Sequence, residues 1–142
     1  MATVEKRRKM TSTEARVILP WPDKALSPNA RQHWAQRSRA VKTARSQSYL
    51  LTRQSITEQP GTSSAWHAIQ NITDAGTILV RIVFEPPGRY RYDLDNLVAR
   101  MKAGLDGIAD AIGIDDHRFK LQSPTIGDTF KPHGRVCVTL TT

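Results

Sequence analysis

Two rhythms of apolar residues run along the chain. From Thr77 to Phe84 every second side chain is apolar (Ile78, Val80, Ile82, Phe84), the pattern of a strand with one buried face. Ala15 to Pro20 reads as a short apolar strand, stopped by Pro20-Trp21-Pro22 and a turn-rich run to Pro28. Two further strands fit roughly Phe119 to Ile126 and Arg135 to Thr141, with Lys131-Pro132-His133-Gly134 as the turn between them. The second rhythm is helical. Leu97, Met101, Leu105, Ile108 and Ile112 recur at spacings of four, four, three and four, an apolar stripe that Gly113 ends. Ala30 to Thr57 contains no Gly or Pro and predicts a second helix, whereas Glu58 to Gly76, rich in Gly, Ser, Thr and Gln, predicts a loop with one short helical turn near Trp66. No internal repeat is visible. The pattern predicts one α+β (mixed α/β) domain over 14–142: a mixed sheet of about four strands packed by two main helices. A flexible basic tail is expected over 1–13 and a loop insertion over 58–76.

Composition narrows the class. At 142 residues the chain can bury one proper core, and 39% hydrophobic content is too high for full disorder. No apolar run is long enough to span a bilayer, and no signal-peptide pattern opens the chain, so a cytoplasmic protein is expected. Cys137 is alone in a strand-like run and reads as a small buried apolar residue, compatible with a reducing compartment. The formal charge of +8 points to an anionic partner. Nucleic acid comes first, because Lys and Arg neutralise phosphates; a membrane surface lacks the cationic amphipathic helix it would need. Lys42, Arg45, Tyr49 and Arg53 share one face of the predicted first helix, with no acidic residue before Glu58 to offset them, which favours a phosphate-facing role over a merely solvated surface. Arg89 and Arg91, in a basic and aromatic run, and Lys131 are further phosphate-contact candidates.

Against that basic background the acids cluster. Asp93-Leu94-Asp95-Asn96 precedes the best-defined helix, and Asp115-Asp116 follows it. In extended backbone Asp93 and Asp95 point the same way, so both can reach one cation, and the helix N-terminus favours their ionised form. Mg²⁺ suits such a place, since it takes a few hard oxygen ligands and leaves the rest to water and phosphate. An EF-hand is excluded by the missing loop glycine and bidentate Glu. A straight helix of about 17 residues spans roughly 25 Å, so Asp115 and Asp116 can approach the first pair only if the chain turns back after Gly113. The bland alternative makes Asp95 or Asn96 an N-cap and Asp115-Asp116 a turn. Lys102 poses the same choice: an exposed i, i+4 pair with Asp106, or a lysine that stabilises charge on a scissile phosphate.

Asp93-Leu94-Asp95-Asn96-Leu97, then Lys102-Ala103-Gly104-Leu105-Asp106-Gly107, then Ile114-Asp115-Asp116, resembles the RusA-type Holliday junction resolvases. Leu19-Pro20-Trp21-Pro22 with Ser27-Pro28-Asn29 is similar to that family's opening strand and loop, and the likeness runs from about Arg16 to Thr141. The resemblance implies a homodimeric, Mg²⁺-dependent endonuclease, with Mn²⁺ as a substitute ion, that cuts four-way DNA junctions in recombination and repair. It implies Asp93, Asp95 and Asp116 as catalytic metal ligands, Asp115 as an alternate ligand and Lys102 as the catalytic lysine. It also implies a bacterial or phage-encoded source and no small-molecule cofactor. Two features depart from the pattern: Tyr92 stands where a basic residue often precedes the motif, and a few extra residues separate Asn96 from Lys102. Other branched DNA is the alternative substrate, and a non-catalytic basic DNA-binding module the alternative class. His117 is a further candidate base beside Asp116.

Overall fold

The computed structural model describes residues 14–31, 33–58, 63–72 and 76–142; the expected basic tail lies outside them. Strand alternation is borne out. β1 (Glu14–Pro20) buries Ala15, Val17 and Leu19, and β2 (Ile78–Glu85) buries Ile78, Val80, Ile82 and Phe84. The segment expected as one strand near 119–126 forms two short pieces, β3 (Phe119–Leu121) and β4 (Thr125–Ile126), so the sheet has five strands rather than four. Both run parallel to β2, and β3 follows a one-turn 3-10 helix (Asp116–Arg118). The last strand, β5 (Arg135–Thr141), lies antiparallel between β1 and β2, giving the order β1-β5-β2-β3 with β4 also on β2. Val138 faces Val17 on one side and Ile82 on the other. The apolar residues of all three long strands therefore line one sheet face, and the helices cover it.

Four α-helices lie among the described residues. α1 (Trp34–Glu58) and α2 (Ser63–Gln70) precede β2; α3 (Leu94–Arg100) and α4 (Lys102–Ile112) follow it. The segment expected as a loop insertion over 58–76 with one short helical turn near Trp66 carries a two-turn helix there, α2, whose Ala65, Trp66 and Ile69 sit in the main core. Its apolar residues are too few to stand out in a window crowded with Gly, Ser and Gln, yet burying an indole is among the largest single hydrophobic contributions a fold can make. The predicted helix through Leu97–Ile112 is broken at Met101, whose backbone (φ −86°, ψ −3°) sits at the edge of the right-handed α region while its side chain stays in the core. Because both halves bury apolar residues on the same sheet face, periodicity carries across the break and hides it.

α1 packs chiefly on α4, and not through an apolar stripe. Its buried residues are Ser48, Thr52 and Ser55. Ser48 donates to the Gly104 carbonyl (2.5 Å), and Thr52 donates back to the Ser48 carbonyl (2.7 Å), so these hydroxyls are satisfied as the helices close. Gly107 sets the approach: a Cβ there would run into the Arg45 carbonyl oxygen and lie 2.9 Å from Ser48 Cβ.

The opposite sheet face is more polar. There Glu85 accepts from Arg135 Nε (2.7 Å) and from Cys137 Sγ (3.1 Å). Cys137, expected as a buried apolar residue, is instead half-buried on this face; burial, reinforced by the Glu85 carboxylate, pushes its thiol up to about 11, which disfavours a nucleophile. Among the described residues no helix is long and apolar enough to cross a membrane.

Candidate functional site

The acidic motif sits where β2 and its following loop deliver the chain to α3. Asp93 is the N-cap: its Oδ1 accepts from the Asn96 amide (3.2 Å), while its own backbone stays extended at φ −83°, ψ 110°. The cap is therefore Asp93, not Asp95 or Asn96. Asp95 lies exposed in the first turn and has no hydrogen bond or ion pair among the described residues. Leu97, one turn on, is buried and anchors the helix to the sheet.

Asn96 holds the motif in place. Its Nδ2 donates to Ser27 Oγ (2.8 Å), and its Oδ1 accepts from Arg100 Nε (3.0 Å). The Ser27 segment is gripped in turn by Arg37 of α1, whose Nη1 donates to the Ser27 carbonyl (2.9 Å). Two carboxylates thus face water from a backbone braced on three sides. Composition alone gave no sign of this brace; the amide immediately after the second Asp was the available clue.

Asp115 and Asp116 return toward α4. Gly113 takes the left-handed conformation (φ 73°), and the Ile114 amide donates to the Ala109 carbonyl (3.1 Å), closing a helix end that reverses the chain. The reversal brings Asp116 Oδ2 within 2.9 Å of Lys102 Nζ, which also donates to Asp106 Oδ1 at 3.2 Å. Lys102 opens α4, where the helix dipole disfavours a cation. Two carboxylates offset that cost, and Asp116 first and Asp106 second raise the affinity of the amine for its proton. The Lys102 ammonium in return holds the Asp116 carboxyl down to about 2.

Asp115 caps the 3-10 turn and accepts from the His117 amide (3.2 Å), and His117 Nδ1 lies 2.9 Å from its carboxylate. That contact holds the Asp115 carboxyl below its ordinary range. His117 is therefore oriented by Asp115 rather than by Asp116.

The expected phosphate-binding face divides. Arg45 makes a two-pronged ion pair with Asp110 (2.6 and 2.9 Å), and Arg53 donates to the Ala111 carbonyl (3.4 Å). The offsetting acid lies on α4, not within α1's own sequence. Lys102, Asp106 and Asp110 follow i, i+4, i+8 spacing and share one stripe, a signal that could have identified Asp110. Lys42, Arg89, Arg91 and Lys131 are exposed.

Among the described residues no three or more His, Cys, Asp or Glu side chains are gathered so as to hold a metal ion. Asp93, Asp95 and Asp116 therefore do not form a closed cage here. The donors still suit Mg²⁺, which characteristically uses one or two carboxylates and completes its shell with water and substrate phosphate. Beyond the one Asp93 oxygen engaged in capping, the oxygens of Asp93 and Asp95 are open to such an ion. In Asp116 the carboxylate is already matched to a cation, the Lys102 ammonium.

No family model matches the sequence. A protein of Xylella fastidiosa (strain Temecula1 / ATCC 700964) named "Uncharacterized protein" is 42% identical over 125 residues, covering 88% of this chain and 74% of that protein.

Proposed function

The chain belongs to one family with that Xylella fastidiosa protein, whose name carries no activity, and we propose from its own residues that it is a Mg²⁺-dependent endonuclease that resolves four-way DNA junctions by paired nicks. The observation that carries the reading is the Lys102–Asp116 contact at 2.9 Å across a reversed helix end, because it unites two members of the D-x-D-N, Lys, Asp-Asp series that are 14 residues apart. The resemblance to RusA-type resolvases supplies the substrate class, and the charge of +8 suits a DNA partner.

In this reading Asp93, Asp95 and Asp116 hold the ion, with Asp115 as an alternate ligand. The bound ion supplies charge neutralisation at the scissile phosphate and a more acidic water. Asp93 and Asp95 keep their carboxylates toward the strand because capping and the Asn96 brace fix the backbone beneath them. Lys102, kept protonated by Asp106 and Asp116, donates to a phosphate oxygen as charge develops. Arg89, Arg91, Lys42 and Lys131 bind the flanking backbone of the DNA. The protein acts as a homodimer in the cytoplasm, where a two-fold assembly matches two symmetric cuts.

A second reading has its own support. Asp93 caps α3, Asp115 caps the 3-10 turn and Asp116 pairs with Lys102, so each acid except Asp95 has a structural task. A basic binding module with structural carboxylates would bind branched DNA without cutting it. Incubating the purified protein with synthetic four-way, forked, flapped and linear DNA, with and without Mg²⁺, separates the two. Cutting of the four-way junction in preference to the others supports resolution. Equal cutting of forks or flaps shifts the substrate, and binding with no cutting of any of them sinks the enzyme reading.

A further inference from the structure

One cleft is lined by none of the acidic motif residues. It has a volume of about 600 Å³ and opens between α1 and the turn from Pro20 to Leu26, with the α3–α4 junction at its base. Its floor is apolar, from Leu19, Leu26 and Met101, all buried. Its polar wall is made by Gln36, Arg39, Thr43 and Gln47 of α1, and Arg100 closes the far side. Trp21 supplies an aromatic wall. Its ring is fixed edge-on against Phe84 (6.1 Å, 79°) and Tyr92 (5.4 Å, 66°), so it cannot fold into the space it borders.

The charges are unbalanced. The single carboxylate of the lining, Asp23, is engaged as the cap of the Lys24–Leu26 turn, accepting from the Ala25 amide at 2.8 Å. Arg39 has no hydrogen bond or ion pair among the described residues, and Arg100 commits its Nε to Asn96 while its terminal nitrogens remain for another acceptor. A cleft within the usual size range for small-ligand sites, with two guanidiniums, an immobilised indole and two amides, matches an anion that carries a flat, hydrogen-bonding ring.

We propose that this cleft binds one nucleotide unit, its phosphate on Arg39 and Arg100 and its base against Trp21 within reach of Gln36 and Gln47. Aromatic walls beside cationic grooves are a general solution for unpaired bases. The cleft lies next to the acidic motif through Arg100 and Asn96, so an unpaired residue lodged there places the neighbouring backbone close to Asp93 and Asp95. The inference rests on the nuclease reading for the source of the nucleotide, an unpaired strand at a branch, and not for the cleft's chemistry.

The test is anisotropy of 5′-fluorescein-labelled oligo(dT) of five residues, in EDTA, with the full chain. Wild type is expected to bind, and Arg39→Gln and Gln47→Glu, both at exposed positions and checked for folding by circular dichroism, to weaken binding about tenfold. Arg81→Gln, on the opposite sheet face, is expected to bind like wild type. Competition by free dTMP as strong as that by unlabelled oligo(dT) identifies a mononucleotide as the ligand; competition by the oligonucleotide alone identifies a strand. Absence of binding, equal binding by both cleft variants, or stronger binding of blunt duplex overturns the proposal. Oligonucleotide binding by wild type without junction cutting would defeat the nuclease reading and leave the cleft standing.

Discussion

Two aspartate-bearing regions of this molecule have opposite settings. At the start of α3, Asp93 and Asp95 are braced from below and open above: the Asn96 amide side chain is bonded on both ends, while Asp95 meets only water. At the start of α4, Asp106 and Asp116 close around Lys102, and near its end Asp110 pairs with Arg45. The difference separates backbone order from side-chain availability. Asp95 combines a fixed backbone with an unengaged carboxylate, whereas Asp106, Asp110 and Asp116 already face cations of the chain, so an ion at Asp116 would have to share it with Lys102.

That contrast can be broken at several points. The largest effect is expected for Lys102→Ala, which should lower junction cleavage roughly 10²- to 10³-fold if the lysine meets the phosphate, with junction binding in EDTA nearly unchanged. Cleavage within a factor of about three of wild type would reduce Lys102 to an ion-pair partner of the fold. Gly107→Ala attacks the α1–α4 seam instead. It should cost about 1–3 kcal/mol in a urea unfolding titration, because the added methyl meets backbone that cannot swing away. Unchanged stability would contradict that close approach.

Smaller effects sharpen the picture. Asn96→Ala leaves Ser27 and Arg100 without their shared partner and should cost about 1 kcal/mol, with cleavage falling further than stability because the carboxylates lose their brace. Cleavage unchanged in a variant that is measurably less stable would contradict the bracing role. The smallest effect is acid titration. Asp116 has a folded-state value of about 2, below its ordinary 3.8. Its pairing therefore stabilises the fold fully above pH 4 and is lost as pH falls from there through 2. Carboxyl NMR should show Asp116 titrating near 2 in wild type and close to 4 in Lys102→Met; an unshifted titration in the variant would show that another group holds the carboxyl down.

Much of the architecture was legible in the chain because alternation survives wherever one sheet face is buried: β1, β2 and β5 fall within one residue of where the pattern puts them. Three features were not. α2 is too short and too flanked by Gly and Ser for periodicity to register, although Trp66 is fully buried. The break at Met101 is invisible because the same apolar stripe continues through it. The Arg45–Asp110 pair joins residues 65 apart, and no local rule links a basic face on one helix to an acidic stripe on another. At the site, the i, i+4 spacing offered the Lys102–Asp106 pair and the resemblance put Lys102 and Asp116 in one series, but neither could tell that one ammonium joins both carboxylates, or that Asp93 rather than Asp95 caps α3.

One measurement bears most directly on the nuclease assignment: cleavage of a synthetic four-way junction in Mg²⁺ by wild type and by Asp95→Asn, whose altered carboxylate has no structural partner among the described residues. The account predicts paired symmetric nicks by wild type and a loss of at least about 100-fold in the variant, at equal thermal stability. Cleavage by Asp95→Asn at the wild-type rate, or none by wild type under conditions where it binds the junction, would contradict it.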